Sequence, residues 1–295
     1  MEIKKEELRN KLYQYCEDIN IVDVETKNKR LSAFINRYNE GLSFEENVIF
    51  YLNQLETDSS YKNAKSVIKA FSEYLNIKVD FNNIKFQQKY ITFRDIIENI
   101  DYVETNKLWL IDDETSAYFT NMKLYVYLLW IGASKKEIST LFKKDYDTEK
   151  RILNVDNRSY DLKTIYYSEY NVGEIVHKEL VRCINSAAMV KYEGLTDYVS
   201  YSSAKINMDE KLMLNSRKSI RSANAAAQLA KKYIASSSVI HTSGVMARLA
   251  IWEKLNDETI NKYNIDKAII DIKSSLQNGK NLITLYNAYK TFIGN

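Results

Sequence analysis

The chain has 295 residues, 45% of them hydrophobic, with a formal net charge of +3; at roughly 100–200 residues per domain this predicts two globular domains and excludes a globally disordered chain. Cys16 and Cys183 are the only cysteines and His177 and His241 the only histidines, which excludes a disulfide framework or a clustered metal site and leaves little for histidine-based acid–base chemistry. No apolar run reaches the roughly 18 residues of a membrane span, the charged opening MEIKKEELRNKLYQY lacks the apolar stretch of a secretory signal, and the cysteine usage fits a reducing cytoplasm, where the chain is expected to work.

Apolar residues recur at helical spacing from Lys5 to Ile19, through Leu8, Leu12 and Tyr15. A second helix is expected over Lys27–Tyr38, with Leu31, Phe34 and Ile35 inward. A third starts at Ser43, whose Ser-x-x-Glu pattern with Glu46 is a capping box, and runs to Leu55. A fourth, Ser60–Leu75, buries Ala64, Val67, Ile68, Phe71 and Leu75. Sharing one small core, these helices define a first domain over residues 1–78. Val79–Tyr90 has no clear period and reads as a linker.

The second domain, residues 90–295, opens with helices at Phe93–Ile100 and Tyr118–Trp130. Gly132 follows, and then SKKEISTLFKK as a short helix with a second capping box, Ser134 to Glu137. RILNV and SYDL, separated by Asp156-Asn157-Arg158, read as a short β-hairpin. Further helices are expected over Val172–Val190, Arg217–Ile234, Thr242–Trp252, Ile265–Leu276 and Leu282–Ile293. The fold class is mainly α with a small antiparallel β element.

Two helices carry a pattern suited to nucleic acid. In Arg217–Ile234, Ile220, Ala223, Ala227, Ala230 and Ile234 form a narrow apolar stripe, while Arg217, Arg221, Asn224, Gln228 and Lys231 share another face. Arg pairs with guanine, and Asn or Gln with adenine, so such a face suits a helix in a major groove. In Ser60–Leu75, Lys62, Lys65 and Lys69 lie in a row opposite the apolar stripe, spaced to neutralise backbone phosphates. The alternative for both is an ordinary solvated helix face. No phosphate-binding glycine loop, dinucleotide fingerprint or nucleophile elbow is present. His241 among the serines of SSSVIHTSGVMARL therefore does not point to a hydrolase, and His177 is expected to be a hydrogen-bonded core residue. No cofactor and no metal are implied.

The order of these pieces resembles the tyrosine recombinase (phage integrase) family over most of the chain. The N-terminal helices resemble its core-binding domain. KLYVYLLWIGASKKEISTLFKKDYD is similar to the family's helix ending in Gly-Leu-Arg, its Ser-Glu-Leu helix and the Asp before a hairpin. RILNVDNRSYDL stands where the hairpin belongs, and KLMLNSRKSIRSANAAAQLAKKY is similar to the segment leading to a DNA-contacting helix. SVIHTSGVMARL is similar to the start of the His-x-Leu-Arg-His-Thr helix, and LITLYNAYKTFI to the tyrosine-bearing helix. On this resemblance the first catalytic Arg falls on Ser134, the His-x-x-Arg pair on Ser238 and His241, the next His on Thr242, and a later His or Trp near Asn278. Arg158 or Lys163 replaces the hairpin Lys, and Tyr286 or Tyr289 matches the nucleophile.

Tyrosine attack on a phosphodiester needs fixed positive charge on the non-bridging oxygens, and losing one preorganised donor lowers the rate on the order of 10²–10³. With Ser134 and His241 at arginine positions, the chain is expected not to be an enzyme. The resemblance then points to phage lytic-cycle repressors built on this fold. It implies a sequence-specific binder of operator sites in double-stranded DNA that maintains lysogeny as a homo-oligomer. The alternatives are an active recombinase using Tyr286 or Tyr289, and a helical protein-interaction module.

Overall fold

A computed structural model describes residues 3–18, 24–56, 58–106, 113–189, 222–277 and 282–294. The chain divides into two compact units, Met1–Lys89 and Tyr90–Asn295.

The first unit contains α1 (Lys5–Asp18), α2 (Val24–Asn36), α3 (Phe44–Asn53) and α4 (Asp58–Tyr74). Their apolar stripes meet in one core that includes Leu8, Leu12, Leu31, Phe34, Val48 and Phe71. Phe34 sits edge-on to Tyr38, Phe44 and Tyr51, with ring centroids 5.9, 5.6 and 5.5 Å away, the geometry favoured by aromatic quadrupoles. The Ser43 box closes as its sequence implies: Ser43 Oγ accepts the Glu46 N–H at 3.2 Å, and Glu46 Oε2 accepts the Ser43 N–H at 2.7 Å. At the end of α4 the chain turns through Asn76 at φ +56°. The Ile77 N–H then reaches Ser72 O at 2.8 Å and the Asn76 N–H reaches Glu73 O at 3.0 Å, a Schellman closure.

The segment after Val79, which reads as a linker, belongs to this core. Phe81 and Ile84 are buried in it. The Tyr61 hydroxyl and the Lys65 ammonium both donate to Ile84 O, the latter at 2.7 Å. Side chains of α4 thus satisfy irregular backbone that has no ladder of its own. Absence of a helical period in the sequence marks absence of a helix here, not absence of packing.

The second unit contains α5 (Phe93–Thr105), α6 (Asp113–Trp130), the single turn α7 (Lys135–Ile138), strands β1 (Tyr146–Asp147), β2 (Ile152–Val155) and β3 (Arg158–Asp161), α8 (Val172–Met189), α9 (Ser222–Tyr233), α10 (Ser237–Asn256), α11 (Ile265–Asp271) and α12 (Leu282–Ile293). The fold is mainly α with a small antiparallel sheet in the order β1-β2-β3. Val155 pairs with Arg158 across the tight turn at Asp156-Asn157.

The last turns of α6 are buried on every side, from Leu124 through Ile131, as an all-round apolar helix requires. α8, α9 and α10 pack against it, and Phe93 of α5 lies on Tyr127 and Trp130. α10 comes so close that a Cβ on Gly244 would stand 2.1 Å from Trp130 O; only glycine permits that approach. α10 is longer than the expected Thr242–Trp252. Ser236 caps it, its Oγ accepting the Val239 N–H at 3.4 Å, so residues whose weak helix propensity argues against a helix form its first turn.

Candidate nucleic-acid interface and the Gly132 cluster

Two helix ends meet at Gly132. α6 stops there with φ +102°, and the Ala133 and Gly132 N–H groups reach Leu128 O and Leu129 O, each at 3.0 Å. This Schellman cap needs a residue that tolerates the left-handed region. A side chain has little room in any case, because a Cβ would lie 3.0 Å from Arg248 Nη1. α11 ends likewise at Lys273, φ +55°, with the Ser274 N–H on Ile269 O at 3.2 Å and the Lys273 N–H on Ile270 O at 2.9 Å. The Ser275 N–H joins the two ends by donating to Gly132 O at 3.0 Å.

Three basic side chains converge on the carbonyls exposed by these ends. Arg248, on α10, donates to Ile131 O and to Ile272 O, one from each terminus. Arg158, on β3, donates to Lys273 O at 2.6 Å, to Gly132 O at 3.4 Å and to the Tyr160 hydroxyl at 2.7 Å, and it pairs with Glu137. Strand alternation puts Arg158 and Tyr160 on one face, and Tyr160 adds its own hydroxyl to Lys273 O at 2.7 Å. His241 Nε2 lies 2.8 Å from Ser275 Oγ and 3.4 Å from Gly132 O. Both guanidiniums stand against the Tyr160 ring, their carbons 5.6 and 5.8 Å from its centroid.

The electrostatics follow from burial. The C-terminal end of a helix carries partial negative charge, so cations are favoured there. Glu137 is the carboxylate paired with Arg158, whereas Arg248 donates to neutral carbonyls. Desolvation pushes the Arg248 guanidinium down to about 10, with Tyr160 opposing and Arg158 adding to the fall. Desolvation likewise pushes His241 down to about 4, which leaves the imidazole neutral near pH 7. The Tyr160 phenol is pushed up to about 12 by burial. At Glu137 burial raises the carboxyl, but hydrogen bonds from the Ser134 backbone and hydroxyl, and from Arg158, outweigh it and hold the group below its ordinary value.

The residues matched to the family's site are dispersed by this arrangement. Arg158 and His241 are in the cluster. Ser134 borders it as the cap of α7, its Oγ accepting the Glu137 N–H at 3.3 Å and its own N–H reaching Glu137 Oε2 at 2.6 Å. Ser238 is exposed on the first turn of α10, and Lys163 is exposed beyond β3. Tyr286 is half-buried on α12, and Tyr289 is fully buried with its hydroxyl on Glu253 Oε2 at 2.5 Å. Asn278 lies outside the described residues. Sequence reasoning missed Arg248 and Tyr160. Arg248 stands seven residues, two helical turns, after His241, so both share a face of α10; Tyr160 follows from the alternation with Arg158. His177 is half-buried with Nδ1 hydrogen-bonded to the Tyr146 hydroxyl.

Of the residues expected to meet DNA, Lys62 and Lys69 are exposed on α4, while Lys65 is half-buried against Tyr61 and Ile84. Lys69 Nζ is 4.0 Å from Glu73 in an open i,i+4 pair, which contributes little. α9 presents Gln228, Lys231 and Lys232 outward and buries Ala226 and Ala230. The buried row is therefore Ala226 and Ala230, with Ala227 half-buried, and not the stripe through Ala223 and Ala227 that the pattern implies. Asn224 lies in α9, its side chain outside the described ones; Arg217 and Arg221 lie outside the described residues.

No protein-family model matches the chain, and no curated protein matches it. Solved structures do. The chain is similar to the XerA recombinase, at 12% identity and a TM-score of 0.38 over 99% of this chain and 97% of that one. It is similar to the Tn1549 transposon integrase in complex with transposon right end DNA, at 11% identity and a TM-score of 0.38 over 96% and 94%. The same integrase in complex with a circular intermediate DNA gives 12% identity and a TM-score of 0.35 over 96% and 94%. These neighbours are a recombinase and an integrase, and they overturn the expectation that the chain is not an enzyme. The cluster at Gly132 bears on the same point: arginines absent from two aligned positions are supplied from two others, Arg158 and Arg248.

Proposed function

We propose that the chain is a sequence-specific binder of double-stranded DNA that acts as a transcriptional repressor, occupying operator sites as a homo-oligomer. The observation that carries this reading is α9: Ala226 and Ala230 are buried, and Gln228, Lys231 and Lys232 are left exposed along the helix. An alanine-backed helix docks close to its body and projects a polar row outward, the arrangement by which helices enter a major groove. The repressor role is taken from the resemblance to phage lytic-cycle repressors. Footprinting on the genome that encodes the chain, with gel shifts across a salt series, tests it: discrete protected sites with a steep salt slope are expected. Uniform weak binding removes the repressor, and no binding leaves a protein-interaction module.

A second reading, a site-specific recombinase, is favoured by the gathering of Arg158, Arg248 and His241 around Gly132. Incubation with a suicide duplex separates the two. A covalent adduct lost on Tyr286→Phe or Tyr289→Phe, at unchanged folding, selects the recombinase.

A further inference from the structure

The second unit has two apolar cores. One gathers α5, α6, the sheet, α8 and the inner side of α9, and includes Phe93, Leu128, Trp130, Leu153 and Val176. The other gathers Val245, Leu249 and Trp252 of α10 with Ile265 and Ile269 of α11 and Tyr289 of α12. α10 is the shared wall, contributing Ile240 and Ala247 to the first core. Where α11 meets the first core, the contact is polar. It consists of Arg158 and Tyr160 on Lys273 O, Arg248 bridging Ile131 O and Ile272 O, and Ser275 on Gly132 O and His241.

Such a seam is poised in a way that an apolar one is not. Closing it desolvates two guanidiniums against one paired carboxylate, and that penalty offsets much of what the hydrogen bonds contribute. Opening it rehydrates both cations and all four carbonyls. α12 adds modest hold on its own. Tyr289 is its fully buried side chain, whereas Leu282, Ile283 and Ile293 are 40, 61 and 44% exposed.

We propose that α11 and α12 open from the rest of the second unit as one cooperative module, and that Arg158 and Arg248 form the clasp that sets how often they do. Because Tyr286 and Tyr289 ride on this module, the clasp also sets where both tyrosines stand relative to His241. The device holds whichever reading of function is correct. Local opening of this kind occurs in contiguous units of lower stability than the whole.

Native-state hydrogen exchange on the full chain tests it, comparing wild type with Arg248→Lys and Tyr160→Phe. Lysine keeps the charge but lacks the fork that spans two carbonyls, and phenylalanine keeps the ring while removing one bond to Lys273 O. The amides of α11 and α12 are expected to exchange together in wild type, faster than those of α6. In Tyr160→Phe they accelerate about 2- to 12-fold, the range of one lost hydrogen bond, while α6 and α8 keep their wild-type rates; Arg248→Lys has the larger effect. Equal acceleration of α6, α8, α11 and α12 in Tyr160→Phe would show one cooperative core and overturn the proposal. Unchanged exchange throughout would overturn it as well. Tyr160→Phe carries the test alone if Arg248→Lys does not fold.

Discussion

Replacing Glu137 by Gln puts the polar cluster under direct strain. Glu137 uses one carboxylate oxygen on Arg158 and the other on the Ser134 N–H. Gln has a single acceptor oxygen, so one of these partners faces an amide NH₂, and the buried Arg158 loses its charge partner. Side-chain exposures of 5% for Arg158 and 12% for Glu137 leave little water to compensate. Breaking a buried pair on one side costs about 3–5 kcal/mol, a large part of the roughly 5–15 kcal/mol that holds a domain folded. The loss also depends on pH in a defined direction. The folded carboxyl titrates below its ordinary value, so its stabilisation is complete above the ordinary carboxylate range and is lost as pH falls through the depressed folded value. Urea unfolding at about pH 7 and about pH 3 reads both effects. Glu137→Gln should be far less stable than wild type at the higher pH, and the gap should narrow at the lower. A variant within about 0.5 kcal/mol of wild type at neutral pH, or a gap that does not change with pH, would refute the assignment of Glu137 as the counter-charge of Arg158.

On α9, Lys231→Ala should lower the salt slope of DNA binding by about 0.9, and Gln228→Ala should cost about 1–3 kcal/mol at the cognate site alone; gel shifts on cognate and scrambled duplexes separate the two. On α4 the lysines should part company. Replacing Lys62 and Lys69 by Ala should reduce the salt slope by about 0.9 for each phosphate left without its cation, while Lys65→Ala, which releases Ile84 O, should lower stability by about 0.5–1.5 kcal/mol in denaturant titrations. For His241 the folded value, about 4, lies below the ordinary imidazole value, so the unfolded chain takes up the proton first. Stability should therefore fall as pH drops from about 6.5 toward about 4, and His241→Gln should flatten that part of the curve.

Regular elements were legible in the sequence because each is specified locally. Leu8, Leu12 and Tyr15, or Ala64, Ile68 and Phe71, repeat at the helical period, and the Ser43 and Ser134 boxes mark helix starts within four residues. What the sequence hid depends on distant partners. Phe81 and Ile84 carry no period, yet Tyr61 and Lys65 draw them into the first core. The rotation of α9 that buries Ala226 is chosen by its packing on α6, and an alanine-rich helix offers two nearly equivalent stripes. The site was harder still. Matching positions to a motif asks which residue stands at Ser134 and His241, whereas the cations at this place come from a strand and from two turns further along a helix.

Charge present is not the same as charge available, and that distinction separates the two functional readings. Arg158 and Arg248 supply guanidiniums near the end of α6, which answers the objection that the chain lacks them. Their N–H groups, however, point at Ile131, Gly132, Ile272 and Lys273 carbonyls and at Glu137. A phosphodiester forms stronger charge-assisted bonds than a neutral carbonyl, yet to collect them it must take guanidiniums from partners already in place. The tyrosines pose the matching question from the other side, since burial raises the proton affinity of the Tyr289 hydroxyl and the Glu253 carboxylate that engages it raises it further. Strand cleavage therefore requires both the donors and a tyrosine to leave their present partners, whereas binding through the outer row of α9 requires neither. A suicide duplex measures the first demand and a footprint the second. A protein that footprints discrete sites under conditions where no adduct forms has met only the lesser of the two.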